Sequence, residues 1–243
     1  MSANKRLLIK SIILSIICIS IFTIALDFSR LFGPYNLSNA YHSDFIKRIN
    51  VILAALLVWL AGRDGLNKHD ITSMKFVFIA ICFGEVSFLM AKPTLAIGFF
   101  ISCQCLLISR HCRGLRCKLT KARWVQKLTL ALLLLTLILL LLIGVVIFYS
   151  TAIINTLMFM GVLYGFVLSI SLWVGLANFI LSLFPSKNSK MIAIGMLCFY
   201  LCDITVGLDG LLWSGPAWLI ATSLTWVFYT PAITLLALSS YKL

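Results

Sequence analysis

Residues 128–142 read LTLALLLLTLILLLL, and the apolar run continues through Ile143, Gly144, Val145, Val146 and Ile147 to Phe148. No charged side chain interrupts 128–148, whose only polar side chains are Thr129 and Thr136. As a helix rising 1.5 Å per residue, the run is about 31 Å long, matching the ~30 Å hydrocarbon layer of a bilayer. It reads as a membrane span whose surface faces lipid. Further apolar runs lie on both sides: 7–26, 50–62, 74–90 and 94–109 before it, and 154–184, 191–212 and 216–240 after it. The second and fourth are short, which calls for tilt or local thinning of the bilayer. The sixth is long enough to hold a surface-lying end over 178–184, broken by Pro185.

The whole chain agrees with that reading. Of its 243 residues 62% are hydrophobic and 11% charged, and the mean hydropathy is +1.08. Soluble domains run nearer half apolar and a quarter charged, so a soluble enzyme, a disordered chain, a collagen and a nucleic-acid-binding fold are all excluded. The predicted class is all-α: a polytopic membrane helix bundle of about eight transmembrane helices, forming one integral membrane domain over 1–243. Two four-span halves, 1–109 and 128–243, would be joined by a basic loop and share one orientation, so any repeat is parallel.

Charge fixes the expected orientation. Twenty Lys and Arg stand against seven Asp and Glu, a net charge of +13. With eight spans and a cytoplasmic N-terminus, sixteen of the twenty basic residues fall on the cytoplasmic side, seven of them in the 110–127 loop. Arg30, Lys47, Arg48 and Lys92 remain outside. Such a bias is the positive-inside rule, it places both termini in the cytoplasm, and a seven-span count would scramble it. Lys5 and Arg6 ahead of 7–26 resemble a signal peptide, but the run is long for one and is read as the first span.

Six of the eight cysteines (Cys18, Cys82, Cys103, Cys105, Cys198 and Cys202) lie in apolar runs, as small hydrophobes do. Cys112 and Cys117 join His111 in the basic loop without CxxC spacing, so no metal site is expected. No glycine-rich phosphate loop exists, so no cofactor is expected either. His42 and His69 read as solvated loop residues. Asn36-Leu37-Ser38 is a sequon of little weight, and Trp213, Trp218 and Trp226 read as interface or packing aromatics. Lys47, Arg48 and Asn50 open the second span from outside, where they would anchor it or meet a phosphate.

Five acids (Asp27, Asp44, Asp64, Asp70 and Asp209) fall in or beside loops; Glu85 and Asp203 fall inside spans three and seven. A carboxyl in hydrocarbon costs several kcal/mol, roughly 2.5–3.5 on insertion scales, so these two are functional candidates by default. Counted from the cytoplasmic starts of their spans, both lie ~16–18 Å deep, slightly beyond the midplane, and Gln104 reaches a similar level from the other side. The expectation is one polar cavity. Gly195, Phe199, Asp203 and Gly207 recur every four residues and share a stripe of span seven. Phe100 and Gln104 stack likewise on span four, and Gly84 beside Glu85 serves packing or access. Two carboxyls in a dry cavity suit acid/base chemistry, with one protonated and its partner orienting water. The same pair also suits a structural polar tie between helices.

Three short motifs resemble the YhhN-like lysoplasmalogenase family of eight-span membrane proteins. They are Gly84-Glu85 in span three, Phe100 to Gln104 in span four, and the Gly195, Phe199, Asp203 spacing in span seven. Phe228-Tyr229 ahead of Ala232 is similar to the family's terminal Tyr-rich helix, which brings in Tyr229. The resemblance covers about residues 46–240. Glu85 replaces the family's Asp, Cys202 its Ser and Gln104 its His, so any acid/base role of that His is lost here. The resemblance implies hydrolysis of the vinyl ether bond of a lysoplasmalogen, a single-chain ether phospholipid, to a fatty aldehyde and glycerophospho-ethanolamine or -choline. It implies Asp203 and Glu85 as acid and base, and Gln104, Tyr229 and Lys47 as positioning groups for substrate or water. Gly84, Phe100, Gly195 and Phe199 would pack the cavity. A non-catalytic lipid-binding protein or a proton-coupled transporter would use the same buried acids, and both readings stay open at this stage.

Overall fold

Helix α1 (Ala3–Phe32) begins a chain that, in the computed structural model, is described over residues 3–32, 37–151, 156–212 and 215–242. The helices that follow are α2 (Leu37–Ala61), α3 (Lys68–Leu89), α4 (Pro93–His111), the short α5 (Leu115–Lys121), α6 (Trp124–Thr151), α7 (Thr156–Leu181), α8 (Ser186–Leu212) and α9 (Gly215–Leu238). Seven of them (all but α2 and α5) are long and apolar enough to cross a membrane. α2 has the length, but Asp44, Lys47 and Arg48 lie in its first half. Asn36 and Trp213 lie outside the described residues, as does the side chain of His42.

Helix ends follow local chemistry. Asn67 caps α3, its side-chain oxygen accepting from the Asp70 N–H at 2.7 Å. α3 stops at a turn where Ala91 takes φ 55°, and Pro93 opens α4. The basic loop is not all irregular: Gly114, at φ 77°, leads into α5.

α8 packs most closely on α9, α3 on α4, and α4 on α7, while α1 and α2 lean on each other and on α9. Gly195 makes the closest pairing possible: a Cβ there would lie 3.3 Å from the Ala232 carbonyl of α9. The core runs through the middle of this bundle and includes Phe78, Met74, Phe199, Met196 and Ile233. The leucine-rich α6 lies at the periphery, with only 11% of its most apolar window buried, as expected of a lipid-facing helix. Its links to α7 are polar ones that need no water: Trp173 Nε1 donates to the Leu130 carbonyl at 2.9 Å, and Gln126 to that of Ile180 at 3.0 Å.

The expected surface-lying end over 178–184 is not there. Asn178 is fully buried in α7, and its side-chain oxygen accepts from Ser189 Oγ of α8 at 2.9 Å. The length that suggested a surface-lying end is instead taken up by α7, whose Asn178 finds a partner inside the α7–α8 corner.

Both ends of the chain meet at one end of the bundle. Lys5 pairs with Asp64 at 2.5 Å, and the Lys242 N–H donates to the Asp64 carbonyl at 2.9 Å. Hydrogen bonding from Lys5 holds the Asp64 carboxyl below the ordinary carboxylate range. Tyr241 forms a β-bridge with Gly65 and donates its hydroxyl to the Leu57 carbonyl.

Candidate functional site

Glu85 lies in the last turn of α3, four residues before Leu89. That is about 6 Å from the helix end and about 25 Å from its start at Lys68, which lies six residues before the apolar run. Glu85 is 9% exposed and bound by Arg48 of α2, whose Nε lies 3.2 Å from its Oε2. The Arg48 guanidinium also donates to the Asp44 carbonyl at 3.1 Å and lies 5.9 Å from the Trp226 ring centre on α9. A cation over an indole face is held by the ring quadrupole as well as by the carboxylate.

Asp203 lies on α8 with a different partner. Tyr164 of α7 donates its hydroxyl to Asp203 Oδ2 at 2.7 Å. Among the described residues no cation lies within ion-pair distance of Asp203. Cys202, buried next to it, lies within electrostatic reach of both Asp203 and Glu85, so the two carboxyls share one neighbourhood.

Aromatic rings line this neighbourhood. Phe100 of α4 lies 6.5 Å from Tyr164 and 6.4 Å from Phe199, and Phe199 lies 5.8 Å edge-on to Tyr229. Tyr229 in turn is 5.5 Å from Trp226. Edge-to-face contacts of this kind hold rings in fixed positions. Gly84 lets the chain of rings form, because a Cβ there would stand 2.8 Å from the Phe100 ring. The Tyr229 hydroxyl faces Glu85 without reaching hydrogen-bond geometry and is buried with no hydrogen-bond partner among the described residues.

Gln104 lies one turn beyond Phe100 on α4, close to Tyr164. It is fully buried, and among the described residues neither its amide oxygen nor its amide nitrogen has a hydrogen-bond partner. A buried amide left unsatisfied costs about 1–3 kcal/mol, so a group this expensive points to something it is meant to hold.

Of the residues singled out from the sequence, Glu85, Asp203, Gln104, Tyr229, Gly84, Phe100 and Phe199 therefore gather in one region, with Gln104 a turn away from the level of the carboxyls. Gly195 lies farther along α8, at the α9 seam. Lys47 does not join them. It is 2% exposed and pairs with Asp27 at 2.7 Å and Asp44 at 3.3 Å, where Ser43 and Ser223 also donate to Asp27. Its ammonium serves that buried cluster, and Asp27 is not the loop acid expected.

A third polar cluster was not expected at all. Arg110 of α4 and Asp70 of α3 are both fully buried and joined by two parallel bonds of 2.8 and 3.0 Å. Arg110 also donates to Ser239 Oγ at 2.9 Å and to the Ser239 carbonyl at 3.1 Å, and lies over the Phe184 ring. His111 accompanies it with Nε2 3.2 Å away, while Cys112 is half-buried and Cys117 exposed. Tyr164 and this Arg110 pair are the residues that sequence reasoning missed. Helix register would have found the pair, since Asp70 opens α3 and Arg110 closes α4 at the same end of one hairpin.

A helical bundle with seven membrane-length helices and buried polar groups between them defines the class: a multi-pass integral membrane protein. Comparison goes no further than that class, because no family model matches the chain and no curated protein or solved structure is significantly similar to it.

Proposed function

We propose that this protein is an intramembrane hydrolase acting on a single-chain ether phospholipid, cleaving a vinyl ether bond as lysoplasmalogenases do. The observation that carries the reading is the unlike partnering of its two inner carboxyls: among the described residues Glu85 faces a guanidinium and Asp203 a phenol. Such an environment assigns opposite duties to two chemically similar groups. Asp203 is the proton donor, and Glu85, which faces the Arg48 guanidinium, is the base.

The reaction follows. Asp203 gives its proton to the β-carbon of the vinyl ether, leaving an oxocarbenium ion. Glu85 takes a proton from water as its oxygen bonds to the α-carbon, forming a hemiacetal. The carbon–oxygen bond to the glycerol then breaks. The leaving oxygen takes the proton from Glu85, and the hemiacetal hydroxyl returns one to Asp203. The products are a fatty aldehyde and a glycerophosphodiester, with one water consumed. General acid–base catalysis of this kind contributes ~10²–10⁴-fold. Gln104, whose amide atoms have no hydrogen-bond partner among the described residues, positions the water or the ether oxygen.

Eight crossings with both termini in the cytoplasm complete the reading. Lys5 and Asp64 are paired, so a chain that crosses in α1 must return through α2. The end where they meet also carries Arg113, Arg116, Lys118 and Lys121, as the cytoplasmic face of a membrane protein does.

The test is aldehyde release from lysoplasmenyl-ethanolamine by the detergent-purified protein. Wild type should release aldehyde without any ion gradient, and Asp203→Asn and Glu85→Gln should both lower the rate at least ~10²-fold. A folded wild type that releases none, whatever the head group, overturns the hydrolase. Proton-driven uptake into liposomes would then take its place.

A further inference from the structure

A groove of about 440 Å³ runs along the outside of the α2–α3 seam, and its lining is wholly apolar. α2 contributes Ile52, Ala55 and Trp59; α3 contributes Ile79, Cys82 and Val86. The two helices are antiparallel, and their register brings the groove to within a turn of the site. One turn before Ile52 on the same stripe of α2 is Arg48, and one turn beyond Cys82 on α3 is its partner Glu85. At the other end Trp59 lies under the Lys75 ammonium, 5.9 Å from its ring centre. From Arg48 to Trp59 is eleven residues, or about 16 Å. Ala55, small among large neighbours, opens the middle. Ile52, Trp59 and Val86 are exposed, uncovered by any of the described residues.

We infer that the groove is a lipid site that takes one alkyl chain of a single-chain phospholipid, with the head-group phosphate on Arg48. Arg48 uses Nε on Glu85 and Nη1 on the Asp44 carbonyl, and its Nη2 has no partner among the described residues. A guanidinium with a free edge accepts a phosphate oxygen without releasing its carboxylate. The chain lies along the seam toward Trp59, and the ether end comes to rest beside Glu85. The site deepens the hydrolase reading by naming where its substrate lies, and it is tested by binding, apart from turnover.

The probe is a saturated, non-hydrolysable ether lysophospholipid brominated on its chain, added at low mole fraction to the full-length protein in nanodiscs. Bromine quenches tryptophan on contact. Quenching should saturate, vanish with Trp59→Phe, and reverse when unbrominated ether lysophospholipid is added. A long-chain alcohol should not reverse it. Ala55→Phe, which fills the groove and leaves Arg48 and Glu85 untouched, should abolish it. Arg48→Gln should weaken it roughly tenfold, as loss of a charged hydrogen bond does, and Arg48→Lys should weaken it less. Non-saturating quenching, indifference to Ala55→Phe, equal competition by the alcohol, or displacement by inorganic phosphate alone each overturns the site. Binding without aldehyde release keeps this site and removes the hydrolase; aldehyde release with Trp59 unquenched does the reverse.

Discussion

Gln104 and Tyr164 divide the chemistry of one small region between a group with no partner and a group with one. The Gln104 amide has been taken out of water with nothing in return, whereas the Tyr164 hydroxyl spends its proton on Asp203. Replacing Gln104 with leucine removes an unsatisfied pair of polar atoms at nearly constant volume. Gln104→Leu should therefore stabilise the folded protein by about 1–3 kcal/mol while lowering aldehyde release. Denaturant titration in detergent, read beside the activity, checks both, and a destabilised variant would mean the amide is satisfied in the membrane. Tyr164→Phe works the other way: Asp203 loses the hydrogen bond from the phenol, stability changes by about 1 kcal/mol, and the rate falls more than the stability. The pH dependence of kcat should shift in Tyr164→Phe, which a purely structural phenol would leave in place. The carboxyls and Gln104 were legible from the sequence because a charge or amide in an apolar run stands out. Tyr164 was not, because a tyrosine in a run with Phe159, Leu163 and Phe166 looks like one more ring.

The helices were legible where hydropathy alone decides them, and their limits were not. α2 reaches back to Leu37 through Asp44, Lys47 and Arg48, because each of those charges finds a partner on another helix or on α2 itself. A window that scores residues singly ends the span at the first charge. The α3–α4 hairpin carries the same lesson at its other end, where Asp70 and Arg110 close it fully out of water. Removing one partner of a buried pair leaves the other charge exposed to a low dielectric, at a cost of about 3–5 kcal/mol. Arg110→Met should destabilise by that amount. The double variant Asp70→Asn with Arg110→Met should recover most of the loss, because no charge is then stranded. A thermal-unfolding cycle of the four proteins measures it, and a double variant no better than Arg110→Met would mean that the bonds from Arg110 to Ser239, rather than its charge pair, hold the hairpin. The turn at Gly84 is subtler. Gly84→Ala puts a methyl 2.8 Å from the Phe100 ring, so the ring must turn, and the contact with Tyr164 and Phe199 turns with it. Activity should fall by more than the ~1–3 kcal/mol of overpacking accounts for in stability.

At the scale of the molecule, three charged clusters mark the bundle. Asp27 and Lys47 lie at the level of Arg48 and its partner Glu85, Asp203 shares that neighbourhood, and Arg110 and Asp70 lie at the end where Lys5 meets Asp64. The order predicts a sidedness that labelling can read. Cys117 is exposed on α5, at the Arg110 end, and Met90 is exposed in the α3–α4 turn, at the opposite end. In a variant with Cys117 as its only cysteine, a membrane-impermeant maleimide should react in inside-out vesicles and not in sealed right-side-out ones. With the native cysteines replaced and Met90→Cys added, the pattern should invert. An N-terminal tag should be accessible from the Cys117 side, because α1 and α2 form a hairpin whose ends are joined at Lys5 and Asp64. If the tag and Cys117 are reached from opposite sides, α2 lies outside the hydrocarbon and its charges need another home. Arg48, held by Glu85 and stacked near Trp226, is then the first residue to examine, since a surface-lying α2 would have to release both contacts and the binding groove with them.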